Sequence, residues 1–193
     1  MDHTSAYFNG GPIVKHAIYR HRQRALFVAG TALAIVASGV AAIPANAATR
    51  TFSDAHADVG NGMDIHSVRV ANGARYLSVT TRHRSLQTGE IEIYVDTLAS
   101  SPGPEFALFS IVKRDGDWMV VKLRRNWGSG TGPRDCNSNV RWSDWANTFT
   151  ATLARACIGY AGRVRISVRV LPSRGRIDWA PGYRRFTPWV AKG

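Results

Sequence analysis

The sequence is poor in cysteine, lysine and acidic side chains. Of its 193 residues only 2 are cysteine, and no pair has the CxxC spacing of many metal and redox sites, so a thiol-based site is not indicated. Lysine supplies 4 of the 25 basic residues, arginine supplies 21, and only 13 residues are acidic. The net charge of +12 favours anionic partners, because arginine is suited to carboxylates and phosphates. Codon bias in a GC-rich genome is the alternative explanation of the arginine excess.

The sequence also lacks the motifs of common enzymes. It contains no GxSxG, and the glycine-rich stretch Gly128–Gly132 lacks the Lys-Ser/Thr ending of a phosphate-binding loop. A glycosidase needs two converging carboxylates. Glu92 and Asp96 share a strand face, about 13 Å apart at the rise of ~3.3 Å per residue, which exceeds the separation in an inverting pair. We therefore predict a protein that is not an enzyme.

The first 47 residues have the pattern of a secretory signal peptide. Basic residues from Lys15 to Arg24 precede the uncharged apolar run 25–43, and the tripeptide Ala45-Asn46-Ala47 follows. Cleavage after Ala47 would leave residues 48–193 as a single domain. An uncleaved membrane anchor is the alternative, since nineteen apolar residues are about enough to cross a bilayer. In both cases we expect the body of the protein to be exported. After cleavage it would be secreted, either free outside the cell or associated with the cell wall.

The two cysteines, Cys136 and Cys157, are predicted to form a disulfide. An even number of cysteines in an exported chain is typical of disulfide bonding. Closing a loop of this length contributes roughly 3 kcal/mol of stability in the chain-entropy model.

The body of the chain predicts an all-β fold. The dipeptide Asn72-Gly73 separates two β-prone runs, which is typical of a hairpin. Alternation places Ile91, Ile93 and Val95 on one strand face, and the run 163–171 alternates in the same way. About eight short strands at intervals of some ten residues favour an antiparallel β-sandwich or a β-barrel. Residues 48–62 are predicted to be irregular, and residues 126–139 to be a long loop.

Aromatic and basic residues supply the candidate ligand-binding positions. Trp127 lies in the predicted glycine-rich loop 126–139, where a large ring is hard to bury, and is predicted to face a ligand. The strand 163–171 directs Arg163, Arg165 and Arg169 outward as a cationic stripe, although such a stripe can also be an ordinary solvated sheet face.

Acidic residues supply a candidate calcium site. Irregular segments rich in carboxylates and amides suit calcium, and the predicted ligands are Asp54, Asp58, Asp64 and Asp96. The alternative is turn chemistry, in which Asp and Asn accept backbone hydrogen bonds. The only cofactor considered is therefore a structural calcium ion.

The chain from residue 48 onward resembles small uncharacterised secreted proteins of actinobacteria. The resemblance rests on the acidic lead-in, the stretch Ile93-Tyr94-Val95-Asp96-Thr97, the Pro102-Gly103-Pro104 that follows, the two late cysteines and the closing Asp178-Trp179-Ala180-Pro181. Residues 64–124 are also similar to family-nine carbohydrate-binding modules and DOMON-type sandwiches. That likeness implies a jelly-roll sandwich with a structural calcium and a sugar-binding surface.

Together these features predict a secreted, non-catalytic β-sandwich that binds glycan or another polymer at the cell envelope. Trp127 would stack on a sugar ring, and the three arginines would hold anionic groups. The alternatives are a non-specific electrostatic binder of polyanions such as teichoic acid or nucleic acid, with a steep salt dependence, and a glycoside hydrolase.

Overall fold

The computed structural model describes residues 48–55, 59, 62–113, 117–123, 127–128 and 130–193. The predicted signal peptide at residues 1–47 and the predicted ligand Asp58 lie outside the described residues. Within the described part, the chain forms twelve strands and one short 3-10 helix at Arg155–Ile158. The strands are β1 (Ala48–Ser53), β2 (Ile65–Asn72), β3 (Tyr76–His83), β4 (Gly89–Asp96), β5 (Phe106–Val112), β6 (Trp118–Leu123), β7 (Gly130–Pro133), β8 (Ser138–Ser143), β9 (Thr148–Ala154), β10 (Arg163–Pro172), β11 (Asp178–Ala180) and β12 (Val190–Ala191).

The strands form two antiparallel sheets. The smaller sheet has the order β1-β2-β3-β9-β8. The larger sheet has the order β11-β10-β4-β5-β6-β7, and β12 pairs with the other end of β10. The chain passes from the smaller sheet to the larger one between β3 and β4 and again between β9 and β10, while β4 pairs with β10 and β3 with β9. The predicted antiparallel β-sandwich is confirmed.

Period-2 alternation builds the core between the sheets. From the smaller sheet, Leu77, Val79 and Phe149 are fully buried. From the larger sheet, Ile93 and Ile166 are fully buried and belong to the same cluster. Burial of a large aliphatic side chain stabilises a fold by roughly 1.5–3 kcal/mol, so this shared core holds the two sheets together.

The disulfide Cys136–Cys157 is confirmed. It joins the segment before β8 to the 3-10 helix, with the two Cα atoms 5.4 Å apart. It therefore links the segment next to β8, an edge strand of the smaller sheet, to the connection between β9 and β10.

Two segments predicted to lack regular structure contain strands. Within the lead-in, β1 pairs with β2 from Ala48↔Asn72 to Ser53↔Ser67. Within the glycine-rich stretch, β7 pairs with β6 through Val121↔Pro133. Both are edge strands, where hydrogen bonding to one neighbour requires no apolar alternation and tolerates Gly and Pro, so hydrophobic patterning did not indicate them.

Candidate functional site

The outward face of the larger sheet carries a ladder of paired acidic and basic side chains. Strand register places Arg165 opposite Asp96, Ser167 opposite Tyr94 and Arg169 opposite Glu92. Because the sequence alternates on both β4 and β10, every second residue of each strand reaches this face. The alternation that directs apolar residues of β4 and β10 into the core thus also directs the polar residues of the ladder to the outward face of the sheet.

Arg169 and Glu92 form the first ion pair of the ladder. Arg169 Nη1 lies 2.9 Å from both carboxylate oxygens of Glu92. The Tyr94 hydroxyl donates a 2.6 Å hydrogen bond to Glu92 Oε2. Burial, reinforced by the hydrogen bond and the charge of Glu92, raises the pKa of Tyr94, so the phenol stays protonated and acts as a donor.

Arg165 and Asp96 form the second ion pair. Arg165 Nε and Nη2 each lie 2.6 Å from Asp96 Oδ2, and the backbone N–H of Leu98 donates to Asp96 Oδ1 at 3.1 Å. Asp96 is fully buried, and burial raises its pKa while Arg165 opposes that shift. The charges of Arg165 and Asp96 therefore neutralise each other, as do those of Arg169 and Glu92.

Arg163 and Arg165 also stack on aromatic rings near the end of the chain. The Arg163 guanidinium lies 4.6 Å from the centre of the Trp189 ring, and the Arg165 guanidinium lies 4.7 Å from the Phe186 ring and 4.8 Å from the Trp189 ring. Such cation–π contacts hold the guanidinium groups against the protein. Arg165 and Arg169 are thus paired with carboxylates, whereas Arg163 packs on a ring and forms no ion pair with a described carboxylate, so the predicted cationic stripe is neutralised in part.

Aromatic rings collect above the middle of this ladder and enclose a cavity of about 320 Å³. We call it the aromatic pocket; its lining residues are Tyr94, Trp127, Arg169, Ile177, Trp179, Tyr183 and Arg184. The Trp179 ring stacks on the Tyr94 ring at 5.8 Å, while the Trp127 ring meets Tyr94 edge-on at 4.9 Å. The Tyr183 ring stands edge-on to Trp179 at 5.4 Å and is itself 68% exposed. The rings therefore present both faces and edges to the opening.

The backbone is strained at two residues of the aromatic pocket. Trp127 has a φ of 66° and Arg184 a φ of 51°, in the left-handed region that L-residues with large side chains rarely adopt. A strained backbone of this kind costs on the order of 1–3 kcal/mol and is found preferentially at ligand-binding and active sites. Both residues line the cavity, although Lys113, Asn147 and Tyr160 adopt the same backbone region elsewhere in the described chain.

A second cavity of about 310 Å³ lies beside the aromatic pocket on the same sheet face. Its lining includes Phe109, Ile111 and Met119, together with the carboxylate-bearing residues Glu90 and Glu92. Glu92 lines this cavity while its partners Tyr94 and Arg169 line the aromatic pocket. The Arg169–Glu92 pair therefore stands between the two cavities.

The predicted calcium ligands are only partly described, and those described do not form one cluster: Asp54 and Asp64 both contact His66, whereas Asp96 lies on the larger sheet. Asp96 is held by Arg165 on the larger sheet, whereas Asp64 precedes β2 of the smaller sheet and lies 3.2 Å from His66 Nε2. Asp54 donates its backbone N–H to the His66 carbonyl. Among the residues that the structure describes, no group of three or more His, Cys, Asp or Glu side chains is arranged to hold a metal ion.

Sequence reasoning found Trp127 and Arg169 and missed the rest of the aromatic pocket. Trp179, Tyr183 and Arg184 come from the closing segment after β10, about 50 residues away from Trp127 in the sequence. The signal that was available is the density of aromatic residues in that segment, namely Trp179, Tyr183, Phe186 and Trp189.

Comparison of the chain with protein-family models, with curated proteins and with solved structures finds no match. The resemblances drawn from its motifs therefore stay predictions. In the described part of the chain, no helix is long and apolar enough to cross a membrane.

Proposed function

We propose that the protein is a non-catalytic glycan-binding β-sandwich and that the aromatic pocket takes a sugar ring. The observation that carries this proposal is the set of three differently oriented rings, Trp127, Trp179 and Tyr183, around one open cavity. An aromatic lining with a few fixed polar groups is the usual composition of a small-ligand site, and a volume near 300 Å³ is at the small end for such sites.

The aromatic rings and the polar side chains of the pocket both match groups that a sugar carries. The C–H face of a pyranose ring is apolar and packs on an aromatic ring, while its hydroxyl groups need hydrogen-bond partners. The Arg169–Glu92 pair offers donors and acceptors at the pocket wall in a fixed arrangement. Because the pair already exists in the free protein, little ordering free energy is lost when a ligand binds.

Arg184 is the residue that best fits an acidic group on the glycan. Its side chain is exposed at the rim of the aromatic pocket, with the guanidinium 5.3 Å from the Tyr183 ring. Arg169, by contrast, is held by Glu92. The predicted role of Arg163, Arg165 and Arg169 in holding anionic groups therefore passes, in this proposal, to Arg184.

Export to the cell envelope is part of the same proposal. Residues 1–47 have the pattern of a signal peptide, and the disulfide Cys136–Cys157 is typical of proteins in oxidising compartments. A polymer-binding module placed there would meet cell-wall and extracellular polysaccharides.

Co-sedimentation with insoluble cell wall, chitin and cellulose across a salt series tests the proposal. We expect retention on one polymer to persist at high salt, because ring stacking is not screened by ions. Trp127→Ala and Trp179→Ala should each weaken that retention roughly tenfold, and Trp127→Phe, which keeps a ring, by less. Trp145→Ala is the matched control, since Trp145 is 92% exposed and does not line the pocket. Binding to every polymer at low salt and to none at high salt would contradict the proposal.

A further inference from the structure

The outward face of the smaller sheet differs in chemistry from the ladder on the larger sheet. Its centre is formed by Thr80, Thr148 and Thr150 together with Arg69, Arg82 and Arg141, and we call this surface the hydroxyl face. The other outward positions of β2, β3, β9 and β8 carry Ser, Thr, Ala and Asn, with Tyr76 at one end. The half-buried His66, at the bulge in β2, lies 3.2 Å from Asp64 Oδ2. This surface is therefore rich in side-chain hydroxyl groups and in positive charge.

Strand register sets the spacing of the arginines. Arg69 pairs with Thr80, Thr80 with Thr150 and Thr150 with Arg141, so these four residues form one row across β2, β3, β9 and β8. A 3.0 Å hydrogen bond joins Thr80 Oγ1 and Thr150 Oγ1 at the centre of the row. With strands about 4.8 Å apart, the ends of the row are roughly 14 Å apart, and Arg82 stands about 7 Å to one side of it.

The positive charge of the hydroxyl face is not neutralised by described residues. Arg69, Arg82 and Arg141 are exposed, and none of them forms an ion pair with any carboxylate that the structure describes. No Asp or Glu occupies an outward position on the described strands of this sheet. Asp144, in the turn after β8, pairs with Lys113 at 2.9 Å. Within the described part of the chain, no carboxylate thus pairs with the arginines of this face, unlike those of the ladder formed by Arg165 and Arg169.

Trp145 stands at one end of the hydroxyl face. It lies in the turn between β8 and β9, directly beyond the Ser143↔Thr148 pair, which is in the same row as Arg82. Its side chain is 92% exposed, so it adds almost no buried area to the fold. A tryptophan in this position has its full ring surface available for a partner.

From these features we infer that the hydroxyl face binds single-stranded nucleic acid without sequence preference. Arginines and hydroxyl groups are the side chains that most often contact phosphate oxygens, and three arginines spread over about 14 Å can follow a phosphodiester backbone. Trp145 then supplies a ring on which a base stacks, as in sequence-tolerant single-strand binders. The exposed ring favours a nucleic acid over a polyol phosphate, which has no flat group to stack on it. This inference does not depend on the aromatic pocket.

Fluorescence anisotropy of a labelled oligothymidylate tests the electrostatic part with the full protein. Three phosphate contacts predict that log K falls with log salt with a slope of about −2, from ~0.7 per contact on a single strand. The triple variant Arg69→Gln, Arg82→Gln, Arg141→Gln should abolish most of that slope and weaken binding more than tenfold at low salt. A matched triple outside the face, Arg174→Gln, Arg176→Gln, Arg185→Gln, removes the same charge and should retain the slope. Equal losses in the two triples would overturn the inference, because they would show that only net charge matters.

Trp145 is tested with an abasic oligonucleotide that has the same phosphates but no bases. Trp145→Ala should weaken binding of the oligothymidylate roughly tenfold and leave binding of the abasic strand unchanged. Trp127→Ala should affect neither strand, which separates this surface from the aromatic pocket. The inference is overturned if Trp145→Ala has no effect on the oligothymidylate, if Trp127→Ala weakens its binding instead, or if polyglutamate of equal charge binds as tightly as the oligothymidylate.

Discussion

Arg169 Nη1 is equidistant, at 2.9 Å, from the two carboxylate oxygens of Glu92 on the neighbouring strand. The pair is one rung of the β4–β10 ladder, and Tyr94 fixes the same carboxylate from its own strand. It also forms the boundary between two cavities on the larger sheet. Its strength therefore bears on both the stability of the sheet and the shape of the aromatic pocket.

We predict that the Arg169–Glu92 pair contributes measurably to stability. A double-mutant cycle with Glu92→Ala and Arg169→Ala should give a coupling free energy of about 1–2 kcal/mol, because the carboxylate is largely buried while the guanidinium keeps some contact with solvent. The measurement is urea unfolding of the four proteins. The pair Lys113–Asp144 has the same 2.9 Å distance and is the matched control. Its lysine is about as exposed as Arg169, but its carboxylate is 65% exposed, so we expect less than about 0.5 kcal/mol. Equal coupling in the two pairs would show that burial of Glu92 adds nothing.

Arg155 is predicted to contribute strongly to the stability of the fold. It is 4% exposed and donates to Asn72 Oδ1 at 2.7 Å and to the carbonyl of Ala161, while Asn72 Nδ2 donates to the carbonyl of Val190. Arg155→Ala would leave the buried Asn72 Oδ1 and the half-buried Ala161 carbonyl without this donor, and we expect a loss of about 3 kcal/mol in the free energy of unfolding.

The control for Arg155 is the exposed Arg75, whose carbonyl accepts the backbone N–H of Arg155. Because Arg75→Ala changes only the side chain, it should cost no more than about 0.5 kcal/mol. A loss below 1 kcal/mol for Arg155→Ala, measured by denaturant unfolding, would disprove the structural role of the buried guanidinium.

His83 is predicted to make stability fall in mild acid. It is 2% exposed, with Nε2 2.7 Å from Thr81 Oγ1 and Nδ1 3.1 Å from the Met63 carbonyl. Burial lowers its pKa from 6.5 to about 4. Between these two pH values the unfolded chain binds a proton at His83 that the folded chain excludes. The contribution of neutral His83 to the free energy of unfolding is therefore complete above pH 6.5 and is lost as the pH falls toward 4.

This difference in proton binding predicts that the free energy of unfolding falls by about 3 kcal/mol between pH 7 and pH 4. The measurement is urea unfolding at several pH values for the native protein and for His83→Gln. Because carboxylates titrate equally in both proteins, the difference between the two curves isolates His83. Parallel curves would mean that His83 is not kept neutral by burial.

Removing the disulfide is expected to cost about 3 kcal/mol, since Cys136 and Cys157 are 21 positions apart and close a loop of that length. The variant Cys136→Ala/Cys157→Ala, compared with the oxidised protein by thermal and urea unfolding, measures this cost. A reducing agent should lower the stability of the native protein by a similar amount and leave the variant unchanged. That result would show that the loss of stability comes from the disulfide bond. An unchanged unfolding midpoint in the double variant would contradict the prediction.

The β-sandwich could be predicted from sequence because its central strands carry strong alternation. The β2–β3 hairpin and β10 were found in this way, with Leu77, Val79 and Ile166 correctly placed in the core. The edge strands β1 and β7 were missed, since their structure comes from backbone pairing with a neighbour rather than from side-chain pattern.

The candidate site was predictable only in part, for a physical reason. Alternation shows that Arg165 and Arg169 point outward, but not that Asp96 and Glu92 lie directly opposite them. That pairing depends on the register between β4 and β10, which are separated by more than 60 residues of chain. Likewise, Trp127 and Trp179 meet only because the closing segment returns along the edge of β10.

The most direct test of glycan binding at the aromatic pocket is a titration followed by the indole N–H signals in a ¹H–¹⁵N NMR spectrum. The chain has 6 tryptophans, and single Trp→Phe variants assign their signals. With soluble oligosaccharides prepared from the polymer that retains the protein, we expect the Trp127 and Trp179 signals to shift in a saturable manner while the Trp145 and Trp118 signals stay in place. Shifts confined to Trp145 or Trp118, or no shift of any indole at high oligosaccharide concentration, would contradict the account.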